Sequence, residues 1–367
     1  QMCAFFGRIT VRCTARRLST LAIGDMADQL LGPSSGAQTV ERLWAMSDVH
    51  TDTKENLDFI SRLDPLAFRS DGLIVAGDVS DDMSIVRLTL RSLRSKFARV
   101  FFVPGNHELW VGRRRSDGCA DSLQKLAALE QLCAEEGVDA HPSRLVVSSG
   151  RAGAQVNLWV IPLLSWHSPD FDTEAEIDAR WTGIPAADQV CGDYFQCKWP
   201  PPLKQQDGSV SGRLDSMNDE RLSEAPLAGD DREKLAALFE SGTRDPGDIV
   251  VSFSHFLPRI ELTPEKRYLY FPCLNKFVGS LALGARVSRL HPDIHVFGHT
   301  HFGWDQELDG VRYLSPPVGY PRERSVRMST IAVGGFPEAA EHEEQATEPV
   351  LVWSASSGFP GKYPAGW

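Results

Sequence analysis

The chain has 367 residues and a mass of 40.6 kDa, with 42% hydrophobic and 24% charged residues, the balance of an ordinary globular protein with room for a large core. A formal net charge of −11 argues against the broad phosphate-backbone grip that drives non-specific nucleic-acid binding, so extended nucleic acid is not an expected partner. Seven cysteines without a C-x-x-C pair speak for reduced thiols rather than a disulfide framework, and no run of eighteen apolar residues offers a membrane span.

Residues 1–24 carry Arg8, Arg12, Arg16 and Arg17 among Ser and Thr, with no acidic residue before Asp25. That is the composition of an organellar transit peptide, with a basic tail as the alternative. The first reading places the protein in a chloroplast or mitochondrion, the second in the cytoplasm. A Gly-Pro-Ser-Ser-Gly run at 32–36 reads as a linker. Three segments follow: an N-terminal basic segment at 1–38, a domain at 40–330 with an insert at about 165–228, and a C-terminal extension at 331–367 with an acidic loop and a final strand.

Within the domain, a short apolar run at 43–46 ends in Ser47-Asp48-Val49-His50, and a helical pattern follows at 54–63. The run at 72–76 reads as a second buried strand, ending in Gly77-Asp78-Val79-Ser80-Asp81, with a helix over 82–97. A third strand, 100–103, is broken by Pro104-Gly105 and presents Asn106 and His107 on a turn. A helix is predicted at 119–137 and a strand at 156–161. From Ser165 the periodicity stops. The insert holds many Gly and Asp and a Pro-Pro-Pro run, but its tryptophans favour an ordered lid or specificity element over disorder. A helix at 231–241 leads to a strand at 249–253 that ends in Ser254-His255. A further helix at 277–290 leads to a strand at 294–297 that ends in Gly298-His299-Thr300-His301. Short strands at 311–314 and 350–353 close the pattern. Strands alternating with helices imply parallel pairing with helices on the faces.

The strand ends therefore collect Asp48 and His50, Asp78, Asn106 and His107, His255, and His299 and His301. Leaving His107 aside, two aspartates, one asparagine and four histidines suffice for two divalent ions side by side. Carboxylate plus imidazole suits Mn, Fe or Zn. Asp-x-His and His-x-His at strand ends put both side chains on one rim. A carboxylate such as Asp78 can bridge two metals.

In this order and spacing the motifs Asp48-x-His50, Gly77-Asp78-x-x-Asp81, Gly105-Asn106-His107-Glu108, Ser254-His255 and Gly298-His299-Thr300-His301 resemble the binuclear metallophosphoesterases, the calcineurin-like superfamily. The stretches around His255, His299 and Tyr320-Pro-Arg-Glu-Arg further resemble a branch seen in plants, algae and some microbes. The resemblance implies a four-layer α/β/β/α sandwich of two mixed sheets with flanking helices. It implies one metal on Asp48, His50 and His301, a second on Asn106, His255 and His299, and Asp78 bridging them. A water between the metals would be the nucleophile, His107 the proton donor to the leaving group, and Asp81 a partner fixing a ligand or His107. The Ser/Thr protein phosphatases of the superfamily carry Arg just after the Asp81 position. Here Asp82 stands there, which speaks against a phosphoprotein substrate.

Arg113, with Arg114 and Arg115, Trp166 and His167 at a strand end, and Arg322 and Arg324 are candidate substrate contacts. His141, His291, His295 and His342 lie outside the motifs and read as structural. The expected function is metal-dependent hydrolysis of a phosphate mono- or diester, with a small phosphorylated molecule as substrate. Nucleotide, pyrophosphate or nuclease action on the same site is the enzymatic alternative, and a non-catalytic scaffold with this fold is the alternative of another class.

Overall fold

The computed structural model describes residues 40–111, 117–148, 155–177, 183–204, 210–227, 229–324 and 348–362. The expected N-terminal segment 1–38, Arg113 and nearly all of the acidic loop fall outside them. Three strands, β1 (Arg42–Met46), β2 (Gly72–Ala76) and β3 (Arg99–Val103), lie parallel in that order. The Gly-Leu-Ile-Val-Ala sequence of β2 is buried along its whole length, as a central parallel strand covered on both faces must be. Two helices cover one face, α1 (Lys54–Arg62) and α2 (Met83–Arg94), and α3 (Ser122–Glu136) packs on α2. Asp82 caps α2 by accepting from the Ser84 N–H, and Asp121 caps α3 by accepting from the Gln124 N–H. Asp82, which parts this chain from the protein phosphatases, thus starts a helix.

The second sheet runs β4 (Ser143–Ser148), β5 (Gln155–Pro162), β6 (Ile249–Phe253), β7 (Ile294–Val296), β9 (Val311–Ser315) and β8 (Trp304–Leu308). Its four central strands are parallel, and β4 and β8 pair antiparallel at the edges. After β5 the chain forms the short helices α4 (Ala187–Val190), α5 (Asp193–Gln196) and α6 (Pro201–Lys204), then α7 (Val210–Glu224) and α8 (Asp230–Ser241). The last long helix, α9 (Leu281–Leu290), packs on both α7 and α8. Side chains of both sheets, Phe101, Phe102, Trp159 and Phe253 among them, join one buried core. Truncating Phe101, wholly buried, to Ala would remove about 3–5 kcal/mol. Two mixed sheets with helices outside is the predicted architecture.

Four features differ from the sequence reading. The final strand, β10 (Val350–Ser354), pairs antiparallel with β1 and so belongs to the first sheet rather than to an extension beyond the domain. β4 and β8 were not predicted. β8 is half-exposed and charged, yet the Asp309-Gly310 turn joining it to β9, with φ of 50° and 79°, is a hairpin signal legible in the sequence. The insert, read without periodicity, holds the 15-residue helix α7, whose buried face includes Asn218 and Arg221. Asn218 is satisfied there: its side chain bonds the N–H and the C=O of Leu164 at the end of β5.

Candidate metal centre and active site

Asp48, His50, Asp78, His299 and His301 all have positive φ, between 43° and 75°. Non-glycine residues avoid this left-handed region, so its concentration at the turns after β1, β2 and β7 marks a place where side-chain direction has overridden backbone preference. Gly77 makes room for one of these turns. At φ 80° a Cβ there would stand 2.6 Å from His255 Nδ1 and 2.7 Å from the Gly105 nitrogen.

One side chain holds the β2 and β3 turns together. The Glu108 carboxylate, fully buried, accepts from four backbone N–H groups: Asp78 at 2.9 Å and Gly105 at 2.7 Å through Oε2, Val79 at 2.5 Å and Ser80 at 3.0 Å through Oε1. Burial and the neighbouring Asp78 push its carboxyl up, and the N–H groups oppose this. Burial also acts against the charged Asp78, but His255, His107 and His50 outweigh it and hold that carboxyl well below the usual range.

The donor atoms converge in two groups that share Asp78. Asp48, His50 and His301 form one with it, and His255 and His299 the other. His301 Nε2 lies 3.1 Å from His50 Nε2 and 3.5 Å from Asp48 Oδ1. In the second group Asn106 Oδ1 lies 3.0 Å from His255 Nε2 and 3.1 Å from His299 Nδ1, and Asp78 Oδ1 lies 3.4 Å from His255 Nε2. The outward-facing atoms of three histidines fix their tautomers. His255 Nδ1 faces the Ala76 carbonyl at 3.0 Å, His299 Nε2 the Phe277 carbonyl at 3.0 Å, and His301 Nδ1 the Glu323 carboxylate at 2.7 Å. Each of these partners only accepts, so each histidine turns a lone pair inward.

Inward lone pairs 3.1–3.2 Å apart (His50 with His301, His255 with His299) repel unless something positive lies between them. Although burial works against it, Asp78 raises His255 to about 10, and Asp48 and Glu323 raise His301 to about 9. Burial, with His255 charged beside it, lowers His299 to about 3, and burial with His107 and His301 lowers His50 well below its ordinary value. In each close pair the charged form is favoured on one ring and disfavoured on the other, and the space between them is a place that a divalent cation fits. The nitrogen and oxygen donor set suits such an ion.

His107 stands beside this cluster. Its backbone N–H donates to Asp78 Oδ1 at 3.1 Å, and its Nε2 lies 3.9 Å from Asp78 Oδ2. The ring stacks on Trp110 at 3.8 Å and keeps an exposed edge. Asp81 does not take the supporting place expected for it. Its backbone carbonyl accepts from Lys125 Nζ at 2.7 Å, and the carboxylates behind the ligands are Glu108, Glu323 and Asp193. Trp166 is buried behind the site, against Phe256, whose ring in turn packs on His299. His167 is buried with its Nε2 3.4 Å from Asp193 Oδ2. Arg324 is turned inward, donating to the carbonyls of Val318 and Gly319 and to Asn56 Oδ1. It ties the loop after β9 to α1. Arg322 is exposed on the same short helical turn.

The sequence reading gave no role to Glu108, Trp110, Asp193, Tyr320 or Glu323. Glu108 stood inside a quoted motif, and Tyr320 and Glu323 inside a quoted stretch. Asp193 carried no signal, since its partners Asn106 and Trp110 lie more than eighty positions away. Tyr320 stacks on His50 at 4.2 Å, and its N–H donates to Glu323 Oε2.

Residues 41–152 match the family described as calcineurin-like phosphoesterase. Among curated proteins the chain is 29% identical over 300 residues to the acyl-carrier-protein phosphodiesterase PptH of Mycobacterium tuberculosis, a match spanning 79% of this chain and 82% of that protein. The crystal structure of phosphopantetheinyl hydrolase PptH from the same organism superposes with a TM-score of 0.57 at 26% identity, over 80% of this chain and 93% of that one. The strand-end motifs, the paired donor groups and these likenesses agree: the chain carries a calcineurin-like phosphoesterase domain and is a hydrolase acting on phosphate ester bonds.

Proposed function

We propose that the protein is a phosphodiesterase whose substrate is a carrier protein bearing a phosphopantetheinyl arm, rather than the small phosphorylated molecule expected from sequence. The observation that carries the catalytic part is the sharing of Asp78 by two donor groups with His107 alongside. Asp48, His50 and His301 would hold one divalent ion (Mn, Fe or Zn), and Asn106, His255 and His299 the other, with Asp78 between them. When bound, the pair supplies an activated water and a positive field for the phosphoryl oxygens.

The chain's own groups do the rest. The three fixed tautomers keep lone pairs inward. Glu108 holds the two turns at the spacing the pair requires. His107, facing the open side, gives its proton to the leaving alkoxide. The diester and the carrier protein are supported by the likeness to PptH, which spans most of both chains.

The test is incubation of metal-loaded protein with holo-acyl carrier protein, read by mass spectrometry. Release of the phosphopantetheine arm and conversion to the apo-carrier is expected. Turnover of a chromogenic monoester with no release from the carrier would overturn the substrate.

A further inference from the structure

Asp193 lies at the start of α5, inside the insert, and is almost wholly buried. Its Oδ1 accepts two hydrogen bonds, from Asn106 Nδ2 at 2.8 Å and from Trp110 Nε1 at 2.7 Å. An amide can present either end to a metal, and only the oxygen is a good ligand. A carboxylate accepts and never donates. With Asp193 behind it, Asn106 must offer its NH2 backwards and its Oδ1 forwards, to the point where His255 Nε2 and His299 Nδ1 converge. The same oxygen holds the indole on which His107 stacks. Behind Asp193, His167 Nε2 stands 3.4 Å from its Oδ2.

We infer that Asp193 is a positioning residue through which the insert completes the active site: one carboxylate oxygen sets the amide orientation of Asn106 and the ring of Trp110 beneath His107. The insert is thereby more than a cover. Its seating decides whether the second ion's ligands are aligned and whether the proton donor is propped against its platform. This inference rests on the two-metal reading above.

Four variants test it, each checked for folding by its melting curve, with Mn(II) loading followed by electron paramagnetic resonance. Wild type should bind two ions and show an exchange-coupled signal. Asp193→Leu should lose the coupled signal and keep the uncoupled signal of one ion, with affinity at the other position down about 10–100-fold and kcat falling more than KM. Trp110→Phe should keep both ions and lose turnover chiefly on substrates with poor leaving groups.

The decisive variant reverses the polarity of the pair. Asn106→Asp alone sets two carboxylates face to face and should lose the second ion. Adding Asp193→Asn lets an NH2 donate forwards from that position and should restore the coupled signal, while the bond from Trp110 Nε1, which the same oxygen accepts in wild type, is given up. A folded Asp193→Leu that retains both ions, or a double variant no better than Asn106→Asp, would overturn the inference. Absence of a coupled pair in wild type itself would instead remove the two-metal reading and this inference with it.

Discussion

The two donor groups share Asp78 but are built from different material. Asp48, His50 and His301 bring a carboxylate of their own, and Glu323 stands behind His301 at 2.7 Å. Asn106, His255 and His299 are neutral donors, backed by the Ala76 and Phe277 carbonyls and by Asp193. The first group is supported by residues after β9, near the strand ends where the parallel bridge of Ser47 with Pro317 joins the two sheets. The second leans on the insert. A divalent ion gains most from anionic ligands, so the first position should bind more tightly and the second should be emptied first.

Asp78 belongs to both groups, so Asp78→Asn should erase the difference by removing both ions together, with activity falling to background. Metal analysis of the purified variant checks this, and retention of one tightly held ion would show that the shared carboxylate matters to one side alone. His107→Ala touches neither group. It should keep both ions while turnover on a poor leaving group falls about 10²–10⁴-fold. Full activity there would remove His107 from proton donation. Glu323→Gln acts on the first group only, loosening the orientation of His301. The ion held there should weaken about 10–100-fold while the second position is unchanged, as read by competition with a chelator.

The smallest effect concerns stability and involves neither group. His295 is buried between the hydroxyls of Ser252 and Ser254, and burial keeps its pKa down at about 3 against an ordinary value of 6.5. The folded state holds it neutral while the unfolded state takes up a proton, so its contribution is present above about pH 6.5 and is lost as pH falls towards 3. His295→Gln should flatten the drop in melting temperature between neutral pH and about pH 5. An unchanged drop would assign acid sensitivity to other groups.

Much of this centre was legible because ligand motifs are local. A strand that ends in Gly77-Asp78 or Gly298-His299-Thr300-His301 announces both its turn and its donor within a few residues. The parallel strands were equally plain, because burial on both faces leaves an uninterrupted apolar run. What escaped was whatever depended on distant chain. α7 hides its packing face in polar residues such as Asn218, which are satisfied only once β5 lies beneath them. β10 reads as an appendage until β1 offers it an edge. The supporting carboxylate Asp193 has no motif, and Glu323 lay in a quoted stretch without a role, because what selects them is the back of a ligand and not a neighbour in sequence. Arg324 misled for the same reason: a guanidinium near a phosphate-handling site suggests an anion, yet this one is occupied by carbonyls.

The left-handed backbone at Asp48, His50, Asp78, His299 and His301 bears on how this protein can be engineered. Left-handed backbone disfavours a side-chain-bearing residue by about 1–2 kcal/mol per position. A programme that ranks substitutions by folding energy of the metal-free chain would therefore nominate glycine at those five places. Each nomination would delete a donor. Stabilising variants of this fold should be sought in the helices and outer strands, with the strand-end turns left as they are.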